Sequence, residues 1–442
     1  MENKNNRYIV VLEIASSHIA GIVASIADGV SDASVLCYHE LPILDCVRYG
    51  SIVNVDEVCN KTAELLKRIE NERHFSPCNI TGVYVAMSGR SLRSETVTQE
   101  FTVDDTQTLS QEFLDNVYRK ARASFEQDCV LGVVPRMFEI NGAEVQNPVG
   151  SLGHHLKVSV NVLLCRPQLR RNLSMVFDRL KISIIDFIVT PLALAECLMT
   201  EEERRLGAML VDHGAETTTV SIYKNNRLMY LSVLPIGSRN ITRDLVSLNV
   251  LEEVAEKIKK TSGNAIATGE DLNGLDIMGV SAYDVSNYIT ARAGEIMENV
   301  YNQLTLAGFT SDQLPAGIMA VGRGMKLKGL KDLLESITKM QVREGRNSNI
   351  PAASNLINVP QLLAVLDYIT REPQKIVNCI QRVEQPVIAP EQVAVAVQEA
   401  ERPAEKKKTK KGFIHRFLDR FNDITNETED EFAEDEENNK RR

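Results

Sequence analysis

Met209-Leu210-Val211-Asp212-His213-Gly214-Ala215-Glu216-Thr217-Thr218-Thr219, running on into Val220-Ser221-Ile222-Tyr223, is the stretch that decides the fold of this chain. It reads as an apolar, β-branched strand ending in a carboxylate, a turn of small and hydroxylated residues, and a second apolar strand. A worn copy lies about two hundred residues earlier: Tyr8-Ile9-Val10-Val11-Leu12-Glu13-Ile14-Ala15-Ser16-Ser17, then Ile19-Ala20-Gly21-Ile22-Val23-Ala24-Ser25-Ile26. Such a hairpin aims backbone N–H groups and a carboxylate at a phosphate and its metal ion. Two of them in one chain predict two similar domains closing on a nucleotide.

In the second hairpin, Asp212 is placed to hold a Mg²⁺ ion through water and Gly214 lets the backbone approach a phosphate. The hydroxyls of Thr217 and Thr218 add donors. In the first, Glu13 takes the acid position and Ser16 and Ser17 supply the hydroxyls. Each stretch alone also reads as an ordinary tight hairpin with its acid as a turn residue. A third turn, Gly322-Arg323-Gly324, follows the apolar strand 317–321. A lone G-x-G is weak evidence; the weight rests on three such turns in order, at domain-scale spacing.

A chain of 442 residues has room for two to four domains. No run reaches ~18 uninterrupted apolar residues, and the polar start, Met1 to Arg7, leads straight into a strand without the pattern of a secretory signal. Eight irregularly spaced cysteines with no C-x-x-C point to buried thiols in a reducing compartment. The net charge of −10 argues against nucleic acid as a partner. Zinc is not expected, because His154-His155 reads as a loop or strand-end pair with no cysteine pair nearby.

Strands alternating with helices predict an α/β chain. Residues 1–87 and 165–205 form a first domain, interrupted at 88–164 by a small α+β insertion with strands at 92–101, 136–140 and 156–164 and a helix at 111–126. Residues 206–241 and 307–373 form a second domain, carrying a helical insertion at 242–306. From 374 to 411 the composition is that of a flexible linker.

Beyond the linker, Lys410 and Lys411 precede a segment, 412–425, with helical periodicity. Phe413, Ile414, Phe417, Leu418, Phe421 and Ile424 fall within an arc of about 140° at 100° per residue, while Arg416 and Arg420 lie outside it. This pattern predicts an amphipathic membrane helix; docking back onto the body or onto a partner protein is the plainer alternative. Each cation near an anionic leaflet contributes ~1 kcal/mol. The tail, 426–442, carries eight acids between Glu427 and Glu437 and reads as solvated and disordered.

These features together resemble the FtsA family of bacterial cell-division proteins, part of the actin/Hsp70/sugar-kinase ATPase superfamily. The specific stretches are Tyr49-Gly50-Ser51-Ile52-Val53-Asn54, Asn147-Pro148-Val149-Gly150-Ser151-Leu152-Gly153, and Pro191-Leu192-Ala193-Leu194-Ala195 leading to Asp212. The resemblance covers most of 7–372 and the terminal helix. It implies an actin-like two-domain α/β fold with an inserted small α+β subdomain and a C-terminal amphipathic helix. It implies ATP or ADP with Mg²⁺ as cofactor, with Glu256 and Lys259 facing ribose and base and Gly322, Arg323 and Gly324 forming the adenosine turn.

Against the family pattern, Glu13 replaces Asp, Ala15 replaces Gly, His18 takes the usual Lys position, and Ala215 and Glu216 stand where glycines are usual. A carboxylate at Glu216 beside phosphates should weaken binding by like-charge repulsion unless it turns outward. Nucleotide binding with at most weak ATPase turnover is the expectation. The implied partners are the C-terminal peptide of the tubulin-like FtsZ, received on the helical insertion, further copies of the chain in filaments or oligomers, anionic lipids of the inner membrane, and later divisome proteins. The implied place is the cytoplasmic face of that membrane, peripheral, at the division site. Two alternatives share the fold: an actin-like scaffold of pilus or secretion machinery, which does not need a Lys-Phe helix, and a small-molecule kinase, which needs a carboxylate base and intact phosphate glycines.

Overall fold

Ile9, Val10, Val11 and Leu12 are all fully buried. An apolar run without alternation is what a strand covered on both faces requires. Asn6–Ile14 is indeed the middle strand of a five-stranded sheet in the order Ser183–Val189, Gly82–Met87, Asn6–Ile14, His18–Ala27, Ser34–Pro42. The first three run parallel, and the hairpin partner His18–Ala27 is antiparallel to Asn6–Ile14. The computed structural model describes residues 6–27, 33–73, 78–103, 108–267, 274–345 and 359–382. The expected membrane helix, the acidic tail and all of the expected linker beyond residue 382 lie outside the described residues.

A second sheet holds nine strands, in the order Ala143–Val145, Cys129–Ile140, His155–Cys165, Arg93–Thr102, Arg227–Leu234, Thr218–Lys224, Ala208–His213, Ile318–Val321, Val342–Glu344. The Ala208–His213 strand shows how it divides two cores. Met209 and Val211 pack among the helices Ser238–Val246, Glu252–Ser262 and Ala282–Leu306, whereas Leu210 points into the core shared with the first sheet. Period-two alternation thus sends one strand into two layers. The helices Thr190–Leu198 and Pro360–Thr370 pack on each other, and Thr190–Leu198 touches both sheets. Both are apolar nearly all round, as helices buried on every side must be.

The first four strands of the second sheet and the helix Gln111–Ala123 form a unit with its own core, including Leu114, Val117, Phe138, Val158 and Val160. That unit joins the rest of the sheet through the pairing of Arg93 with Ser232. Its strand expected at 136–140 begins earlier, at Cys129, because the half-buried run Cys129–Arg136 alternates too weakly to read as strand in isolation. Ordered structure also continues past Gln374, where linker composition begins. Ile380–Arg382 pairs antiparallel with Cys78–Ile80, and Cys379 is fully buried. Three residues are too few to show periodicity in a Pro- and Gln-rich context. Among the described residues no helix is long and apolar enough to cross a membrane.

Candidate functional site

Register puts the two acids in equivalent places. Glu13 pairs with Ala20 across the first hairpin, and Asp212 pairs with Thr219 across the second. Each turn is closed by its own backbone: Ala15 N–H donates to His18 O at 2.9 Å, and Gly214 N–H donates to Thr217 O at 2.8 Å. The third turn packs directly on the second. Gly322 has φ +96°, and a Cβ there would lie 2.4 Å from His213 O and 2.6 Å from Asp212 Oδ1. Only glycine fits that backbone and that gap.

Between the hairpins lies a cleft of about 1000 Å³. Of the residues expected in the site, Glu13, Ser16, Ser17, Asp212, Gly214, Thr217, Glu256, Lys259, Arg323 and Gly324 line it together. Gly322 backs it rather than lining it. Thr218 does not face it: its hydroxyl donates to Ile236 O and receives from His213 Nδ1, both at 2.8 Å. Strand alternation is the reason, since Thr217 and Thr219 share one face and Thr218 the other. Thr219 lines the cleft in its place.

The chemistry of the cleft is set by two opposed carboxylates. Enclosure, and then the neighbouring Glu13 carboxylate, push Asp212 up to about 7, while the Gln361 side-chain amide, donating to Oδ1 at 2.9 Å, pulls it back. Two neighbouring carboxylates are what a hydrated divalent ion would neutralise. The donor set therefore fits Mg²⁺ held through water, as the sequence suggests for Glu13 and Asp212. Among the described residues no cluster of three or more His, Cys, Asp or Glu offers a fully protein-ligated metal site. His18, at the place of a Lys in the resemblance, sits 3.6 Å from Glu13 Oε2 and hydrogen-bonds Ser17 through Nδ1 at 3.0 Å.

At the far end of the cleft, Lys259 is occupied by the protein itself. Its ammonium donates to Ser238 O at 3.0 Å and Thr242 Oγ1 at 2.8 Å, and pairs with Glu256 Oε2 at 2.6 Å. Burial would raise the Glu256 carboxyl, but Lys259, with Thr242 and Lys260, overrides it and holds it down at about 2. His213, wholly buried behind the turn, is kept neutral by desolvation and then by Lys259; it falls to about 4. Because Thr218 donates to Ile236 O, the His213 proton resides on Nδ1.

Several residues at the cleft escape sequence reasoning. Glu40, on the Ser34–Pro42 strand, is one: it receives both terminal nitrogens of Arg323 at 2.6 Å. Burial would raise Glu40, but Arg323, Tyr38 and His18 hold it at about 2. Gln361 belongs to the Pro360–Thr370 helix, which packs on the first sheet, yet it reaches Asp212. Glu216 stands in the wall of the cleft, with its side chain wholly buried among Arg48, Arg239 and Arg243. The side chain does not turn outward: it stays in the cleft wall, where the arginines converge on its carboxylate.

Comparison with known proteins agrees with this arrangement. The FtsA family (Cell division protein FtsA) matches residues 209–366, and the SHS2 domain inserted in FtsA matches residues 89–164. The chain is 30% identical over 363 residues to the cell division protein FtsA of Porphyromonas gingivalis (strain ATCC BAA-308 / W83), covering 78% of this chain and 74% of that protein. It is 25% identical over 356 residues to the cell division protein FtsA of Bacillus subtilis (strain 168), covering 77% and 78% respectively. Among solved structures, the PilM-PilN type IV pilus biogenesis complex superposes with a TM-score of 0.58 at 16% identity, over 84% of this chain and 98% of that chain, which establishes a common fold and no more. Two hairpins facing across a cleft, an inserted α+β unit and an extended homology place the chain, an actin-like α/β protein, in the FtsA family of cell-division proteins.

Proposed function

We propose that this chain is an actin-like adaptor that binds ATP or ADP with Mg²⁺ in the cleft, assembles into filaments or oligomers, and tethers FtsZ to the cytoplasmic face of the inner membrane at the division site. The observation that carries the nucleotide part is the meeting of both hairpin turns, the Glu252–Ser262 helix and the Gly322-Arg323-Gly324 turn on one cleft of about 1000 Å³. In it Glu13 and Asp212 would hold the metal through water, and Ser16, Ser17, Gly214 and Thr217 would receive phosphate. Lys259 and Glu256 would face ribose and base beside Arg323 and Gly324.

Nucleotide acts in this scheme as an assembly switch rather than a fuel, since the first turn carries Glu13 and Ala15 in place of the usual acid and glycine. The FtsZ C-terminal peptide docks on 242–306, later divisome proteins join the assembly, and the amphipathic segment 412–425 anchors it to anionic lipid. Family membership supports this over a pilus or secretion scaffold, and the altered first turn disfavours a small-molecule kinase. Co-sedimentation with anionic vesicles tests it: the full chain should carry FtsZ down with the vesicles, and Phe417→Glu with Phe421→Glu should release both. Unchanged sedimentation of the double variant, or steady-state ATP turnover well above ~1 s⁻¹, would contradict it.

A further inference from the structure

The Glu216 side chain is the most completely buried acid at the cleft, with none of its surface exposed. Its Oε1 receives Arg48 Nε at 3.1 Å and Arg243 Nη2 at 2.6 Å, with Arg239 Nη1 at 3.7 Å, and its Oε2 receives the backbone N–H of Tyr49 at 2.7 Å. These donors come from both sides. Arg48 and Tyr49 belong to the short hairpin of Val47–Arg48 and Ser51–Ile52, which precedes the first-domain helix Val55–Glu70. Glu216, Arg239 and Arg243 belong to the second domain. Arg239 spans as well, reaching Asp45 at 3.4 Å.

The hairpin tip is held in one conformation for this contact. Tyr49 has φ +52°, a left-handed backbone rare for a bulky residue. Its ring is flanked by the guanidiniums of Arg48 at 5.6 Å and Arg90 at 5.5 Å. The next residue, Gly50, donates its N–H to Ser16 Oγ in the first phosphate turn at 3.0 Å. The same tip therefore touches the first phosphate turn through Gly50 and the second through Glu216.

We propose that Glu216 is a cleft-closing residue: its carboxylate, with Arg48 and Tyr49 of the facing domain, latches the two domains over the phosphate end of the cleft and sets the rate of nucleotide exchange. This rests on the nucleotide reading of the cleft. Opening breaks charge-assisted hydrogen bonds to a carboxylate buried away from water, which are about twice as strong as neutral ones. A glycine at this position could make no such contact, so the latch is a property of this chain's Glu216 and not of the hairpin.

The test uses the full chain, its Glu216→Gln and Arg48→Ala variants, and the double variant. Hydrogen exchange of a peptide covering 45–53 needs no nucleotide, and stopped-flow release of a fluorescent ADP gives the rate. Each single variant should speed ADP release by about tenfold or more and raise exchange at Tyr49, and the double variant should be no faster than the faster single. Arg48 is partly exposed, so Arg48→Ala decides the matter should Glu216→Gln not fold. Unchanged exchange and release in the folded variants, or effects that multiply in the double, would overturn the latch. Wild-type chain that retains no ADP would sink the nucleotide reading, and the exchange of 45–53 would still decide whether the latch exists.

Discussion

Gln361 donates its side-chain amide to Asp212 Oδ1 at 2.9 Å, joining a helix packed on the first sheet to the acid of the second hairpin. The contact counters, without cancelling, the enclosure and the Glu13 charge that push Asp212 up to about 7. A folded-state pKa above the unfolded value means that the contribution of protonated Asp212 to stability is complete below about 3.8 and is lost as pH rises through about 7. A divalent ion favours the ionised form and reverses that loss. Magnesium–nucleotide affinity is therefore expected to rise between pH 6 and 8, by at most about tenfold per pH unit, with a proton released on binding. Calorimetry in buffers of different ionisation enthalpy measures this, and Asp212→Asn should flatten the slope.

Thr217 and Thr218 are adjacent but should behave oppositely. Thr218→Val removes the acceptor of a buried histidine and a donor to Ile236 O, and should lower stability by about 1–3 kcal/mol while leaving nucleotide affinity nearly unchanged. Thr217→Val should lower affinity with little effect on stability. Denaturant melts and a binding isotherm for each variant separate the two.

Arg227 is buried and donates to three carbonyls: Arg136 O at 3.3 Å, Val145 O at 3.2 Å and Gln146 O at 2.5 Å. Its guanidinium also lies 4.8 Å from the Phe138 ring centroid. It stands on the Arg227–Leu234 strand and fastens the inserted unit to the second domain. Arg227→Ala strands three carbonyls and should cost about 2–4 kcal/mol, with hydrogen exchange rising first around 143–146.

The Arg323–Glu40 pair crosses the cleft in the open, with side chains 39% and 28% exposed. Its net worth is small, about 1 kcal/mol or less. Glu40 is lowered to about 2, so its contribution is present above the unfolded value of 4.5 and is lost as pH falls toward 2. Arg323→Ala should shift the denaturation midpoint only slightly at pH 7, and the difference from wild type should vanish in acid.

Fold and site were legible in the sequence to different depths. The hairpins, the third turn and the insertion announce themselves through local patterns: apolar β-branched runs, an acid at a strand end, a change of texture after Ser88. Which threonine faces the cleft was not legible, because it depends on a register in which one residue's shift exchanges the faces. Gln361, Arg48 and Glu40 were invisible for another reason. Gln361 lies 149 residues from Asp212, and Arg48 lies 168 residues from Glu216. Only closure of the fold brings such pairs together, and no local pattern encodes the meeting. Glu216 illustrates the limit most clearly: its charge was legible and implied repulsion, whereas the arginines that neutralise it come from the Ser238–Val246 helix, which carries Arg239 and Arg243, and from Arg48 in the other domain.

The most direct measurement of the central claim is equilibrium binding of ADP and ATP with Mg²⁺ to the full chain and to its Asp212→Ala variant. The account predicts saturable binding to the wild type, weakened at least tenfold in the variant, with the fold of the variant intact by circular dichroism. Equal affinity in the two proteins, or no binding to the wild type at any accessible concentration, would contradict it.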